Sequence, residues 1–153
     1  MTTELYAEEE VQRSAEDAVK DLVEHLSAGS GEARTHGLTV PFDEIGLPDI
    51  GQFSREVEVT IGAPEQHRAI VDLYSTWIPI EWSVPDNRML PAFSGFIEVT
   101  PLGRTFSQVA VFGHYTPPGG WVGAGFDAMV GRRIAEATVR NFVSGLKKQL
   151  EGK

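Results

Sequence analysis

The chain contains no cysteine. Disulfides and thiolate chemistry are thereby excluded, and a structural zinc site loses its commonest ligand. Positive charge is scarce: 13 Lys and Arg stand against 22 Asp and Glu, a formal net charge of −9. Such a surface repels nucleic acid, so no nucleic-acid partner is expected. No apolar run approaches the roughly 20 residues of a membrane span. The opening MTTELYAEEE is acidic and lacks the apolar stretch of a secretory signal, which makes a cytoplasmic location the expectation. Repeats, low-complexity tracts and long linkers are also missing, so one domain over 1–153 is expected. His25, His36, His67 and His114 are scattered, with no His-x-His or His-x-x-x-His pair, and no metal or other cofactor is expected. A G-x-S-x-G elbow for serine chemistry is absent as well.

What is present describes an ordinary globular chain, 41% hydrophobic and 23% charged. A first strand over Glu4–Arg13 places Leu5, Ala7 and Val11 on one face, because side chains alternate along a strand. Glu9 falls oddly on that same face. A helix follows with Ser14 as N-cap and Asp17 three residues on; Ala18, Val19, Leu22, Val23 and Leu26 form its apolar stripe. Glu16, Asp17, Asp21 and Glu24 read as its solvated face, and SAGSGEARTHG reads as loop.

Strand-like segments come next. GLTVPF places Leu38, Val40 and Phe42 together; SREVEVTIG alternates Val57, Val59 and Ile61 against Glu56, Glu58 and Thr60. HRAIVDLYSTWIPIEWSV is long and apolar on both faces, with Pro79 marking a bend or an edge. FSGFIEVTPLG and RTFSQVAVFGHY form a hairpin through Leu102–Arg104. A last helix from about Trp121 to Leu150, roughly 45 Å long, carries apolar Val122, Phe126, Met129, Val130, Ile134, Ala137, Phe142, Leu146 and Leu150. Arg132, Arg140, Lys147 and Lys148 suit its polar side. Short turns between consecutive strands predict an antiparallel sheet, and only the terminal helix is long enough to cover its apolar face.

The stretch GAGFDA, Gly123 to Ala128, has the spacing of a dinucleotide-binding turn. That turn needs a strand running straight into the glycines and a further parallel strand after the helix. Here TPPGGWV intervenes, and the sequence finishes about one helix later, so the topology rejects the motif. Pro117 and Pro118 instead stop a strand, and Gly119 and Gly120 let the chain turn back onto the sheet.

Several stretches carry a family resemblance: IPIEW, LPAFSGFIEVTPLG and VFGHYTPPGGWVGAGFDAMVGRRIAEATVRNFVSGL. Gly113, Tyr115, Pro117, Pro118 and Gly119 match a G-x-Y-x-P-P-G pattern, and Ala135, Thr138, Arg140 and Phe142 match A-x-x-T-x-R-x-F. These resemble small bacterial members of the START-like, helix-grip (SRPBCC) superfamily, which includes polyketide cyclases, lipid-transfer domains and plant pollen-allergen proteins. The resemblance is densest over Pro79–Leu150 and reaches more loosely over VQRSAEDAVKDLVEHL. One departure is that the usual second short helix is not visible in SAGSGEARTHG. The resemblance implies an α+β helix-grip fold, a curved antiparallel sheet of six to seven strands around a long C-terminal helix.

It also implies a cavity between sheet and helix that holds a small hydrophobic molecule such as a lipid, polyketide or isoprenoid. Residues expected at that cavity are Trp77, Trp82, Phe93, Phe96, Phe112, Tyr115, Trp121 and Phe126, with Met129 and Arg133 from the helix. Large aromatics fill cores as readily as they line pockets, so their identity alone leaves both uses open. Glu9, Asp72, Arg133 and Tyr115 are the polar groups that a cyclase- or dehydratase-like enzyme would need in the same cavity. A third use, a protein partner on the helix face or cavity mouth, would require an exposed apolar patch there.

Overall fold

Burial follows the period-two alternation of the first strand. Leu5, Ala7 and Val11 are buried, while Glu4, Tyr6, Glu8 and Glu10 are exposed. A computed structural model describes residues 3–27, 34–41, 52–70, 73–83, 92–116 and 128–152. The elements are β1 (Thr3–Val11), α1 (Ala15–Leu26), β2 (Arg34–Pro41), β3 (Gln52–Ile61), β4 (Glu65–Ile70), β5 (Leu73–Ser83), β6 (Ala92–Pro101), β7 (Ser107–Thr116) and α2 (Ala128–Glu151). All strand pairs are antiparallel, in the order β1-β7-β6-β5-β3-β2, with β4 paired to β5 off this path.

The long segment around Trp77 divides into a hairpin, β4 and β5, which gives seven strands. Pro79 sits where β5 changes partner, between Ile80 facing β3 and Trp77 facing β4. Its carbonyl accepts from the Gly62 N–H at 2.9 Å. In an antiparallel strand a residue's N–H and C=O point to the same neighbour, so the donor that proline lacks faces this junction, at the end of the β3 pairing, and the bond to Gly62 is made in one direction only. Strand β2 starts at Arg34, inside the stretch expected to be loop, because its pairing with β3 runs on to Arg34 opposite Val59. Local composition reads polar there, and the ladder overrides it.

Helix α1 is capped as its sequence implies: the Ser14 hydroxyl accepts from the Asp17 N–H at 3.1 Å. Ala18, Leu22 and Leu26 are buried. Glu16, Asp17 and Glu24 are exposed, but Asp21 departs from the expected solvated face. It is buried and forms an ion pair with Arg13, which supplies the partner a desolvated carboxylate requires.

Helix α2 packs most extensively against β1 and β2, the strands at the two ends of the sheet order. Ile134, Ala135, Thr138, Phe142, Val143, Leu146 and Leu150 form its buried face. Buried Thr138 is satisfied within the helix, its hydroxyl donating to the Ile134 carbonyl at 2.8 Å. Opposite lie Val59, Ile78, Trp82, Phe93, Ile97, Val99, Val109, Val111 and Tyr115, all on the core face of the sheet. Trp82 stacks on Phe93 at 4.6 Å between ring centres and meets Phe142 of the helix at 5.0 Å. Glu9, the odd acid on this face, reaches Lys147 of α2 at 3.6 Å and stays half-exposed. The architecture is the helix-grip α+β fold: a curved antiparallel sheet around a long C-terminal helix.

Candidate functional site

The strand face that does not carry the core is not uniformly polar. Register aligns Tyr6 with Phe112, Phe112 with Phe96 and Phe96 with Pro79, one residue from each of four adjacent strands. Directly opposed residues share a face, so these side chains form a row across the sheet. Trp77, two residues before Pro79, stands on the same face and closes the cluster: its ring centre is 5.3 Å from that of Phe96 and 5.0 Å from that of Phe112. Phe96 and Phe112 are 5.7 Å apart, and Tyr6 lies 6.5 Å from Phe112. His67 of β4 stacks on Trp77 at 4.1 Å and covers one face of the indole.

This cluster walls a trough of about 1180 Å³. The lining follows the sheet order: the end of β3 at Thr60 with Gly62 just beyond it, Trp77, Pro79 and Glu81 of β5, Ser94, Phe96 and Glu98 of β6, Phe112 to His114 of β7, then Glu4 to Tyr6 of β1. It ends on one flank of α2, at Arg132, Glu136 and Arg140. Those three residues are spaced four apart and share a helix face. At the centre, Gly95 of β6 faces Gly113 of β7. A Cβ on Gly95 would stand 2.1 Å from the Phe112 carbonyl oxygen, and one on Gly113 would stand 2.3 Å from that of Ser94. Only glycine lets the two backbones approach in this way.

Polar groups edge the aromatic wall. The Trp77 indole N–H donates to Glu98 Oε2 at 2.8 Å. Glu8 accepts from the Tyr6 hydroxyl at 2.6 Å and from the Gln108 amide at 2.8 Å. Burial, the hydrogen bond to Glu8 and the negative charges of Glu8 and Glu98 push the Tyr6 phenol from its ordinary 10.0 up to about 12. The raised value means that whatever stability this phenol contributes is complete below about pH 10 and is lost as the pH rises through about 12. Tyr6 is 58% exposed, so the Glu8 bond is the cause that a substitution isolates best. In an ultraviolet titration of tyrosinate, Tyr6 should ionise late, Tyr6→Phe should remove its transition, and Glu8→Gln should move it down toward 10.

The residues expected at a cavity divide between the two sheet faces. Trp77, Phe96 and Phe112 line the trough. Trp82, Phe93 and Tyr115 lie on the core face, at 2–3% exposure, and with Phe142 they occupy the space beneath the described part of α2 where the cavity was expected. Met129 is 74% exposed, and Arg133 is exposed and absent from the lining; its neighbour Arg132 is the one that reaches the trough. Trp121, Phe126 and Asp72 lie outside the described residues, as does the glycine- and proline-rich stretch 117–127. Glu9 and Tyr115, two of the polar candidates for catalysis, are turned to the core face and do not line the trough. Sequence reasoning missed Tyr6, Glu98 and Pro79 as lining residues. Their signal was positional: each shares strand parity with Phe112, Phe96 or Trp77.

Among the described residues no helix is long and apolar enough to cross a membrane, and no group of three or more His, Cys, Asp or Glu is placed to hold a metal ion. No family model matches the chain, and no curated protein matches it. Among solved structures it is similar to a norcoclaurine synthase point mutant from Thalictrum flavum, in complex with a transition-state analogue. The identity is 16%, the match covers 95% of this chain and 96% of that one, and the TM-score is 0.37.

Proposed function

We propose that this protein binds a small, largely apolar molecule in the trough, flat against Phe112, Phe96 and Trp77. The observation that carries this reading is the aromatic row itself. Tyr6, Phe112, Phe96 and Trp77 converge on a sheet face whose other positions include Glu4, Glu8, Glu81, Ser94, Glu98 and His114. A contiguous apolar strip on a polar face has no folding role to explain it, since the core lies on the other side of the sheet. The volume, about 1180 Å³, is a little above the roughly 300–1,000 Å³ usual for small-molecule sites, as suits an open trough. Lipids, polyketides and isoprenoids all offer the flat or chain-like apolar body that such a wall accommodates. A binding role is preferred to catalysis because Glu9 and Tyr115 are on the core face and Arg133 is solvent-exposed.

A neutral fluorescent probe, N-phenyl-1-naphthylamine, tests the reading directly. Its emission should rise and saturate on titration with the protein. Phe112→Ala should weaken the probe's affinity by about tenfold, the worth of one aromatic contact. Leu102→Ala, an exposed apolar residue away from the lining, should leave it unchanged. A probe that fails to bind, or that binds both variants equally, would remove the proposal.

A further inference from the structure

Within the aromatic wall stands one carboxylate. Glu98 lies on β6 two residues after Phe96, on the same face, directly opposite Trp77 of β5. It is half-buried, and its Oε2 accepts from the Trp77 indole at 2.8 Å. No described residue donates to its other oxygen or pairs with its charge. Its field reaches across the cluster, since it is one of the groups that disfavour ionisation of Tyr6.

The rest of the lining has the same sign. Glu4, Glu81, Glu98 and Glu136 face the trough against Arg132 and Arg140, four carboxylates to two guanidiniums. Arg132 is already committed to Glu136, with Nε donating to Oε1 at 2.9 Å. Arg140, the other guanidinium of the lining, is solvent-exposed on the helix flank. The charge that touches the aromatic cluster is negative, through the Glu98 bond to the Trp77 indole, and the rings themselves add negative faces. Burying an anion there would set it against Glu98. A neutral group would leave the carboxylate with a partner on only one oxygen.

Resting on the reading of the trough as a small-molecule site, we propose that its ligand carries a cationic ammonium group beside its apolar body. The ammonium is held by Glu98 and by the faces of Phe96, Phe112 and Tyr6. His67 already covers one face of Trp77, so the phenyl and phenol rings supply the open wall. Ring quadrupoles and a carboxylate together are the two groups that recognise a quaternary or tertiary ammonium.

Three matched probes test the proposal: benzyltrimethylammonium, its neutral isostere neopentylbenzene, and the anion 3-phenylpropionate. Each is measured by displacement of N-phenyl-1-naphthylamine and by calorimetry. The ammonium should bind at least about tenfold more tightly than either comparator. Glu98→Gln keeps an acceptor for the Trp77 indole while removing the charge. It should cut the ammonium's affinity by about tenfold and leave that of the neutral naphthylamine unchanged. Because the ammonium cannot lose a proton, any change belongs to the protein. If the naphthylamine binds but the ammonium has no advantage, or the advantage survives Glu98→Gln, the cation proposal falls while the apolar site stands. Tighter binding of the anion would also overturn it and point to Arg140. If neither the naphthylamine nor any benzyl probe binds, both readings fall together.

Discussion

Trp82→Ala is expected to lower the free energy of unfolding by about 4 kcal/mol, nearly a thousandfold in the folding equilibrium. Trp82 is 2% exposed, stacks on Phe93 and touches Phe142, so its removal opens a cavity between sheet and α2 that three elements must collapse to fill. Trp77 belongs to the same strand but lies five positions away, on the other face. Its ring is half-buried against the trough, and Trp77→Ala loses one hydrogen bond to Glu98 and partial packing. A cost of about 1–2 kcal/mol is expected there. Urea denaturation with unchanged m-values measures both. Equal costs at the two positions would mean that the faces are not divided between core and trough as described.

Glycine substitutions should separate as sharply, and in sign. Gly113→Ala is expected to destabilise by about 3 kcal/mol or more, because the new methyl group meets the Ser94 carbonyl and the Gly95 Cα, both backbone atoms of the neighbouring strand. No rotamer change relieves such a clash; β6 and β7 must part at the centre of the sheet. At Gly145, exposed on the C-terminal third of α2, an added methyl group would meet nothing within 4 Å. Gly145→Ala should therefore stabilise by about 0.5–1 kcal/mol, the helix-propensity difference. The pair of melting curves is diagnostic: wild type should fall between the two variants. If Gly113→Ala proved neutral, the close approach at Gly95 and Gly113 would not be a feature of the folded chain.

Much of the fold could be read from periodicity. The alternation in SREVEVTIG, the Ser14 cap, the hairpin through Leu102–Arg104 and the apolar stripe of the last helix all express local rules, and each corresponds to an element. The division of HRAIVDLYSTWIPIEWSV into β4 and β5 does not follow from apolar character, because both faces of β5 meet side chains. The glycine pair was invisible for a different reason. Gly95 and Gly113 acquire their meaning only from a cross-strand register that brings them opposite each other.

The site was half legible. Gathering all the aromatics into one cavity overlooked their parity. Phe93 and Phe96 are three residues apart, as are Phe112 and Tyr115, and Trp77 and Trp82 are five apart; odd separations in a strand point to opposite faces. Applied strictly, the period of two sorts Trp77, Phe96 and Phe112 from Trp82, Phe93 and Tyr115. It does not say which set meets the helix. That is decided by the tertiary contact of Trp82 with Phe142. Glu98 was passed over because a lone acid in a strand is ordinary; its position opposite Trp77, inside the aromatic cluster, is what distinguishes it.

The central claim is that ligand binds against the aromatic row and not between sheet and helix. The indole N–H resonances of nitrogen-15-labelled protein test it most directly, because Trp77 and Trp82 report on the two faces of one strand. On titration with N-phenyl-1-naphthylamine, the Trp77 resonance should shift and saturate together with the fluorescence, while that of Trp82 stays in place. A shift of Trp82 with Trp77 unmoved would place the ligand beneath α2 and contradict the account.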